Sequence, residues 1–178
     1  MKQVERMRLG VVVERRRSDH PWQDHSWRPI AVLPGADELS AWRLIAEGPD
    51  WQRYYVGSLA LELFPKETEA YRINLTAAEP SIYVILRARE TGEEGEVEPF
   101  HLTASAEEVQ DYLDAGSDVI EAVPMPSVVR HWVEDYVARH HQPDRFEKRE
   151  RKGWKDAATG AGPKHPPRAD GRGAGGKP

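Results

Sequence analysis

The 178-residue sequence contains no cysteine. This absence excludes disulfide bonds, metal centres held by thiolates and a catalytic cysteine. No run reaches the roughly eighteen apolar residues that a membrane-spanning helix needs. The apolar run at residues 9–13 is also too short for the core of a secretory signal. We therefore expect a cytoplasmic protein that does not enter a membrane.

Recognisable catalytic and cofactor-binding motifs are missing as well. No serine lies in a G-x-S-x-G turn, and Gly-rich sequence occurs only near the C-terminus, without a phosphate-binding lysine motif. His20 and His25 are five residues apart, and His140 and His141 are adjacent, so neither pair has the spacing of a zinc site. The sequence thus predicts no catalytic residue, no metal ion and no cofactor, and it favours binding over an enzymatic reaction.

Charge is divided unevenly along the chain. The net charge is −5, yet residues 144–178 hold ten Lys and Arg against five Asp and Glu, which leaves 15 against 25 in residues 1–143. We predict a single domain over residues 1–143 and a basic, Gly/Pro-rich, mostly disordered tail over residues 144–178. Because the domain is acidic, contact with nucleic acid is disfavoured and would be confined to the tail.

Alternating apolar residues predict the first strands. Residues 7–14 form one strand and residues 27–35 a second, in which Pro29 predicts an edge position or the start of the strand because proline cannot donate to a ladder. The segment before the turn at residues 48–50 fits either a short helix or a strand over residues 42–47. We favour the strand, which would form a hairpin with the strand that starts at residue 51.

A second hairpin is predicted further along. The connection "PKETE" at residues 65–69 leads into a returning strand at residues 70–76, with Tyr71, Ile73 and Leu75 pointing inward. The strand that begins at Ser81 is apolar on both faces, which predicts a central position. Six or seven strands are expected in a largely antiparallel sheet, which could close in a barrel-like way.

Two helices are predicted late in the chain. Ser105 followed by Glu108 is the capping-box pattern, and it starts a helix that ends at Gly116. A second helix over residues 127–141 carries apolar residues at helical spacing, namely Val129, Trp132, Val133, Tyr136 and Val137. The predicted fold class is therefore α+β, with two C-terminal helices.

Two tryptophans between acidic and basic residues mark a candidate binding surface. Trp22 has no periodic partner, whereas Trp27 shares a strand face with core residues, which we expect to be Pro29, Ala31 and Leu33. A large rigid ring beside charged groups is typical of a recognition surface, although a loop tryptophan can also close one end of a sheet. The predicted contact residues are Trp22, Asp24, Trp27 and Arg28.

The basic tail offers a second candidate surface. An aromatic residue among basic ones, as in "RFEKRERK" at residues 145–152, is not needed for solubility. We predict a tail contact through Phe146, Lys148, Arg149 and Arg151.

Several segments together resemble a known family. They are "PWQDHSWRPIAVLPG", "LELFPKETEAYRINL", "IYVILR", "LTASAEEVQDYLDAGSDVIEAVPMP" and "FEKRERK", in order over about residues 7–152. This set resembles an uncharacterised family of proteobacterial proteins, a domain of unknown function often encoded near molybdenum-dependent formate dehydrogenase and its accessory factors. The resemblance implies an accessory protein that supports maturation or assembly of that enzyme by binding one of its subunits or a maturation factor.

Three alternatives to a protein-binding accessory role remain open. One is a module that binds a small molecule, either the molybdopterin cofactor or a nucleotide, in a site ringed by tryptophans. Another is contact with nucleic acid through the basic tail, and the third is an enzyme with an unfamiliar site.

Overall fold

A computed structural model describes residues 3–35, 42–89, 97–114, 116 and 118–142, all within one compact unit, Met1–Pro143. The described residues form seven strands and three α-helices, and every ladder is antiparallel, which confirms the predicted α+β class. The predicted tail over residues 144–178 lies outside the described residues. The strands are β1 (Glu5–Arg17), β2 (His25–Pro34), β3 (Arg43–Glu47), β4 (Trp51–Leu63), β5 (Ser81–Ala88), β6 (Val97–Thr103) and β7 (Val119–Pro124). The helices are α1 (Thr68–Leu75), α2 (Ala106–Leu113) and α3 (Ser127–His140).

The first sheet has four strands in the order β2-β1-β4-β3. The edge position of β2 confirms the prediction made from Pro29, and β3 and β4 form the expected hairpin around residues 48–50. The long strand β1 lies in the middle and pairs with β2 on one side and β4 on the other.

The second sheet has three strands in the order β6-β5-β7, so β5 is central, as predicted. Residues 119–124 form its edge strand β7. The two sheets approach each other where β2 lies near β7 and β4 near β6. No ladder among the described residues joins the sheets there, so the barrel-like closure does not occur.

The hydrophobic core lies between the sheets and the helices. The inner face of β1 supplies Leu9, Val11 and Val13, each fully buried. The predicted apolar stripe of α3 faces the same core, where Val129, Val133 and Tyr136 are buried and Trp132 and Val137 pack at its margin. Burial of one such side chain contributes about 1.5–3 kcal/mol, so this interior supplies the main stabilising force.

The predicted strand at residues 70–76 is wrong, because this segment is the helix α1. A 3₁₀ turn at Pro65–Glu67 leads directly into it. The helix buries Ala70, Tyr71 and Asn74, which share a face at helical spacing, and leaves Ile73 56% exposed. The period-two interpretation failed because a buried Tyr71 fits both a strand and a helix. The residue that shares its buried face in the helix is Asn74, which is polar and therefore did not count in an apolar pattern.

The last helices are close to their predicted positions. The Ser105 hydroxyl accepts a hydrogen bond from the backbone N–H of Glu108 at 3.3 Å, which confirms the predicted cap of α2. The helix α3 is tied to the start of β1, since the Trp132 indole N–H donates to Glu5 at 3.1 Å and Arg139 pairs with the same carboxylate. The helix α3 therefore contacts the Glu5 end of β1.

Candidate functional site

The loop at residues 18–24, which we call the tip loop, joins β1 to β2 and carries Trp22. Two backbone hydrogen bonds close it: the Ser18 N–H donates to the Asp24 carbonyl at 3.0 Å, and the Gln23 N–H donates to the His20 carbonyl at 3.2 Å. The Trp22 side chain is 89% exposed, more than any other large apolar side chain in the described part of the chain. An ordered loop thus presents a bare indole to solvent.

The other predicted contact residues lie on different surfaces. Asp24 closes the tip loop and is exposed. Trp27 pairs with Arg15 across the β1–β2 ladder, whereas Arg28 pairs with Glu14. Successive residues of a strand point to opposite faces of the sheet. The structure therefore places Trp27 on the inner face and Arg28 on the outer face, and only Trp22 and Asp24 share the loop.

The predicted strand face of Trp27 is partly wrong. An irregularity in the β1–β2 ladder leaves Ile30 without an opposite residue, so the alternation shifts by one position after it. Beyond this bulge Val32 points inward and is 3% exposed, while Leu33 is 43% exposed. Trp27 does pack at the margin of the core, as predicted, but without Ala31 and Leu33 on its face.

Trp27 belongs to an aromatic cluster at the Arg17 end of the first sheet. Its ring centroid is 5.2 Å from that of Trp42 and 6.2 Å from that of Tyr54. The Arg15 guanidinium lies 5.6 Å from the centroids of both Trp27 and Tyr54, a cation–π arrangement. Arg15 and the Tyr54 hydroxyl both donate to the Gln52 side-chain oxygen. These contacts hold Arg15 at the boundary between the cluster and solvent.

Beside this cluster lies an open pocket of about 220 Å³, which we call the basic pocket. Arg17 and His25 are directly opposite each other in the β1–β2 ladder, and Arg15 is on the same face. The Arg17 backbone N–H donates to the Asp50 carbonyl at 2.9 Å and so joins the β3–β4 turn to β1. The pocket is lined by Arg15, Arg17, His25, Gly48, Pro49, Asp50, Trp51 and Gln52.

Sequence reasoning missed this pocket, although a signal for it was present. Alternate residues of a strand share a face, so "ERRR" at residues 14–17 places Arg15 and Arg17 together and Arg16 on the other side. The sequence does not show that His25 and the turn at residues 48–50 come beside them, because that depends on ladder register.

The outer face of the same sheet carries a buried carboxylate. Glu14 is 5% exposed and accepts hydrogen bonds from Arg16 and Arg53, each at 3.0 Å. Burial alone would raise the pKa of Glu14, but the hydrogen bonds from the two guanidinium groups outweigh it and hold the pKa below its ordinary value. Arg28 is opposite Glu14 in the β1–β2 ladder, so it lies beside this ion-pair network of Glu14, Arg16 and Arg53.

A histidine–glutamate pair lies on the second sheet. The His101 ring nitrogen Nε2 is 2.8 Å from a Glu108 carboxylate oxygen, and the Tyr112 ring stacks on the imidazole at 5.5 Å. The hydrogen bond with His101 lowers the pKa of Glu108 despite partial burial. The pair connects β6 to α2 next to the Ser105 cap, and this position gives it a structural role.

Two further observations limit the chemistry of the described residues. No group of three or more His, Cys, Asp or Glu side chains among them could hold a metal ion. None of the helices in the described ranges has the length and apolar character to cross a membrane. The predicted tail contacts Phe146, Lys148, Arg149 and Arg151 lie outside the described residues.

Comparison with known proteins gives a family. No curated protein and no solved structure matches the chain. One family, described as "Protein of unknown function (DUF3305)", matches residues 8–150. This match covers both sheets, the three helices, the tip loop and the basic pocket. The chain therefore belongs to the DUF3305 family of proteins of unknown function.

Proposed function

We propose that this protein is a cytoplasmic, non-enzymatic accessory protein that binds a protein partner through the tip loop. The observation that carries the proposal is the 89% exposure of Trp22. An aromatic side chain can bury about 150–250 Å² on contact, and tryptophan is enriched among the residues that dominate binding energy. Because backbone hydrogen bonds within the tip loop already close it, binding through this loop costs less conformational entropy than the ordering of a flexible segment would.

Asp24 supports Trp22 in this role. It lies in the same loop, is exposed, and can give a polar contact that orients the indole on a partner. Trp27 supports the contact indirectly, because its ring cluster with Trp42 and Tyr54 holds the start of β2, the strand that follows the tip loop. Arg28 contributes from the outer face, and residues 146–151 of the tail form a second proposed contact.

The partner that we propose is a subunit, or a maturation factor, of a molybdenum-dependent formate dehydrogenase. This identification rests on the resemblance noted in the sequence, since members of that proteobacterial family are often encoded near this enzyme and its accessory factors. A binding protein without its own catalytic centre fits a role in assembly or maturation.

Co-purification from the native host tests the proposal. Tagged wild-type protein should recover formate dehydrogenase components, and Trp22→Ala should lose most of them. Ile73→Ala is a matched control, because Ile73 is an apolar residue that is 56% exposed and lies far from the tip loop. Its helix α1 follows the end of β4 that pairs with Glu5, whereas the tip loop follows the opposite end of β1. A variant lacking residues 144–178 tests the tail. Equal recovery by wild type and Trp22→Ala would refute the tip-loop contact.

A second candidate function is binding of a small molecule, and the basic pocket is the observation that favours it. Its volume of about 220 Å³ lies below the roughly 300–1,000 Å³ of pockets for drug-sized ligands. The pocket therefore suits a small ligand, or one group of a larger ligand such as a nucleotide or the molybdopterin cofactor, whose remainder would stay outside.

A further inference from the structure

The basic pocket concentrates positive charge on an acidic domain. Arg15, Arg17 and His25 converge on it from two neighbouring strands, and Asp50 is the carboxylate among the lining residues. Two guanidinium groups that are always charged therefore face one carboxylate. Residues 1–143 hold 25 Asp and Glu against 15 Lys and Arg, so this local excess is opposite in sign to its surroundings.

The two outermost basic groups have no counter-ion in the described part of the chain. No described residue forms a hydrogen bond or ion pair with the Arg17 guanidinium or the His25 imidazole. By contrast, Arg16, their neighbour on the other face, is held by the buried Glu14. The Arg17 guanidinium lies across the ladder from the His25 imidazole, and neither has a partner among the described residues. Their N–H groups can therefore donate hydrogen bonds to a bound anion.

Arg15 is a fixed member of the group. Its contacts with Gln52 and with the Trp27 and Tyr54 rings set its position before any ligand arrives. A guanidinium group has five N–H donors, so these contacts leave donors for a ligand. A preset cation lowers the entropic cost of binding an anion.

We infer that the basic pocket binds a phosphoryl group, held by Arg17 and His25 from opposite strands and by Arg15 from the aromatic cluster. Arginine matches the spacing of phosphate oxygens with paired N–H donors, and two guanidinium groups around one phosphoryl group suit its double charge. The pocket volume of about 220 Å³ accommodates a phosphate and a few further atoms. This inference rests on the second candidate function and is independent of the tip-loop contact.

Titration with inorganic phosphate, followed by backbone amide NMR at constant ionic strength, tests the inference. The amide signals of Arg17, His25 and Gly48 should shift and saturate with phosphate, and chloride should not reproduce the shifts. Arg17→Gln should weaken phosphate binding about tenfold or more, because it removes a charge-assisted hydrogen bond. A parallel titration with glycerol phosphate distinguishes the two sources of the group: tighter binding assigns a phosphate ester, and equal or weaker binding assigns free phosphate.

Arg43→Gln is the control for net charge. Arg43 is exposed and pairs with Tyr55 in the ladder, on the face away from the pocket, so this variant should bind phosphate as the wild type does. Amide dispersion reports whether Arg17→Gln remains folded, and His25→Asn provides a second variant if it does not. Shifts that chloride reproduces, or equal loss in Arg17→Gln and Arg43→Gln, would overturn the inference. Trp22→Ala should keep phosphate binding, which separates this result from the test of the tip-loop contact.

Discussion

The Trp27 indole packs edge-to-face against Trp42, with ring centroids 5.2 Å apart and an interplanar angle of 80°. Only five residues earlier, the Trp22 indole meets solvent over 89% of its surface. The two tryptophans therefore differ in their surroundings: Trp27 is packed in the sheet, and the exposed Trp22 is the proposed contact residue.

Substitution of each tryptophan by alanine should separate these roles. Trp27→Ala removes a ring from a packed cluster and should lower the free energy of unfolding by about 2–4 kcal/mol. Trp22→Ala should change it by no more than about 0.5 kcal/mol, since no packing is lost. Urea denaturation followed by circular dichroism measures both values. A large loss in Trp22→Ala would show that this side chain has a structural role after all.

The turn below the basic pocket depends on a close approach between Gly48 and Trp51. A Cβ atom at residue 48 would lie 2.5 Å from the indole Cε2 atom. Gly48→Ala should therefore destabilise the protein by about 1–3 kcal/mol, as overpacking does. In a Trp51→Ala background the same change should be nearly neutral, because the obstructing ring is gone. Additive effects of the two substitutions in a double-mutant cycle would contradict this contact.

The buried carboxylate of Glu14 predicts a specific dependence of stability on pH. Its folded-state pKa lies below the ordinary value of 4.5, so ionised Glu14 contributes stability that is fully present above that pH. This contribution is lost as the pH falls through the folded-state pKa. Glu14→Gln should destabilise the protein by about 1–3 kcal/mol near neutral pH. The neutral amide of Gln makes weaker hydrogen bonds with the two guanidinium groups than the carboxylate of Glu14 does.

Urea denaturation of wild type and Glu14→Gln at neutral pH and in acid tests this expectation. The difference between the two proteins should shrink in acid, because the wild-type residue becomes neutral too. Glu62→Gln is the control, since Glu62 pairs with the exposed Arg6 and should contribute less than about 1 kcal/mol. A difference that stays constant or grows on acidification would exclude the assigned role of Glu14.

Asn74 connects α1 to the second sheet. Its side-chain N–H groups donate to the Ser81 and Ala104 carbonyls at 2.8 Å each, and its oxygen accepts from the Ser81 N–H at 3.0 Å. Asn74→Ala should cost about 2–4 kcal/mol of stability, because it leaves buried backbone groups unpaired. Ile73→Ala, on the exposed side of the helix, should change stability by about 0.5 kcal/mol or less. The reverse order would support the strand that the sequence predicted here.

Periodicity in the sequence was enough to predict the elements whose apolar pattern agrees with one spacing only. The stripe of α3 is of this kind and was confirmed. The run that is apolar on both faces predicted the central position of β5, which was also confirmed. The segment at residues 70–76 fits two spacings, and Asn74 makes its hydrogen bonds with residue 81 and with residue 104, which is 30 positions away and which no local pattern indicates. The predicted number of six or seven strands agrees with the seven observed only because β7 takes the place of the strand predicted at residues 70–76, which is a helix.

For the site, the sequence could indicate that Trp22 has no partner in a strand pattern, and the structure shows it exposed. It could not show that Val32, rather than Ala31 and Leu33, shares the inner face with Trp27, since a bulge at Ile30 shifts the alternation after it. The meeting of Arg17 with His25 also depends on ladder register, which no local pattern determines.

The most direct test of the proposed function is the dissociation constant of the purified protein for the subunits and maturation factors of a molybdenum-dependent formate dehydrogenase from the native host, measured by calorimetry. We predict that Trp22→Ala weakens this binding about tenfold or more, as expected for a dominant interface residue, while Ile73→Ala stays within about twofold of wild type. Equal affinities for wild type and Trp22→Ala, or no measurable binding by the wild type, would contradict the proposed function.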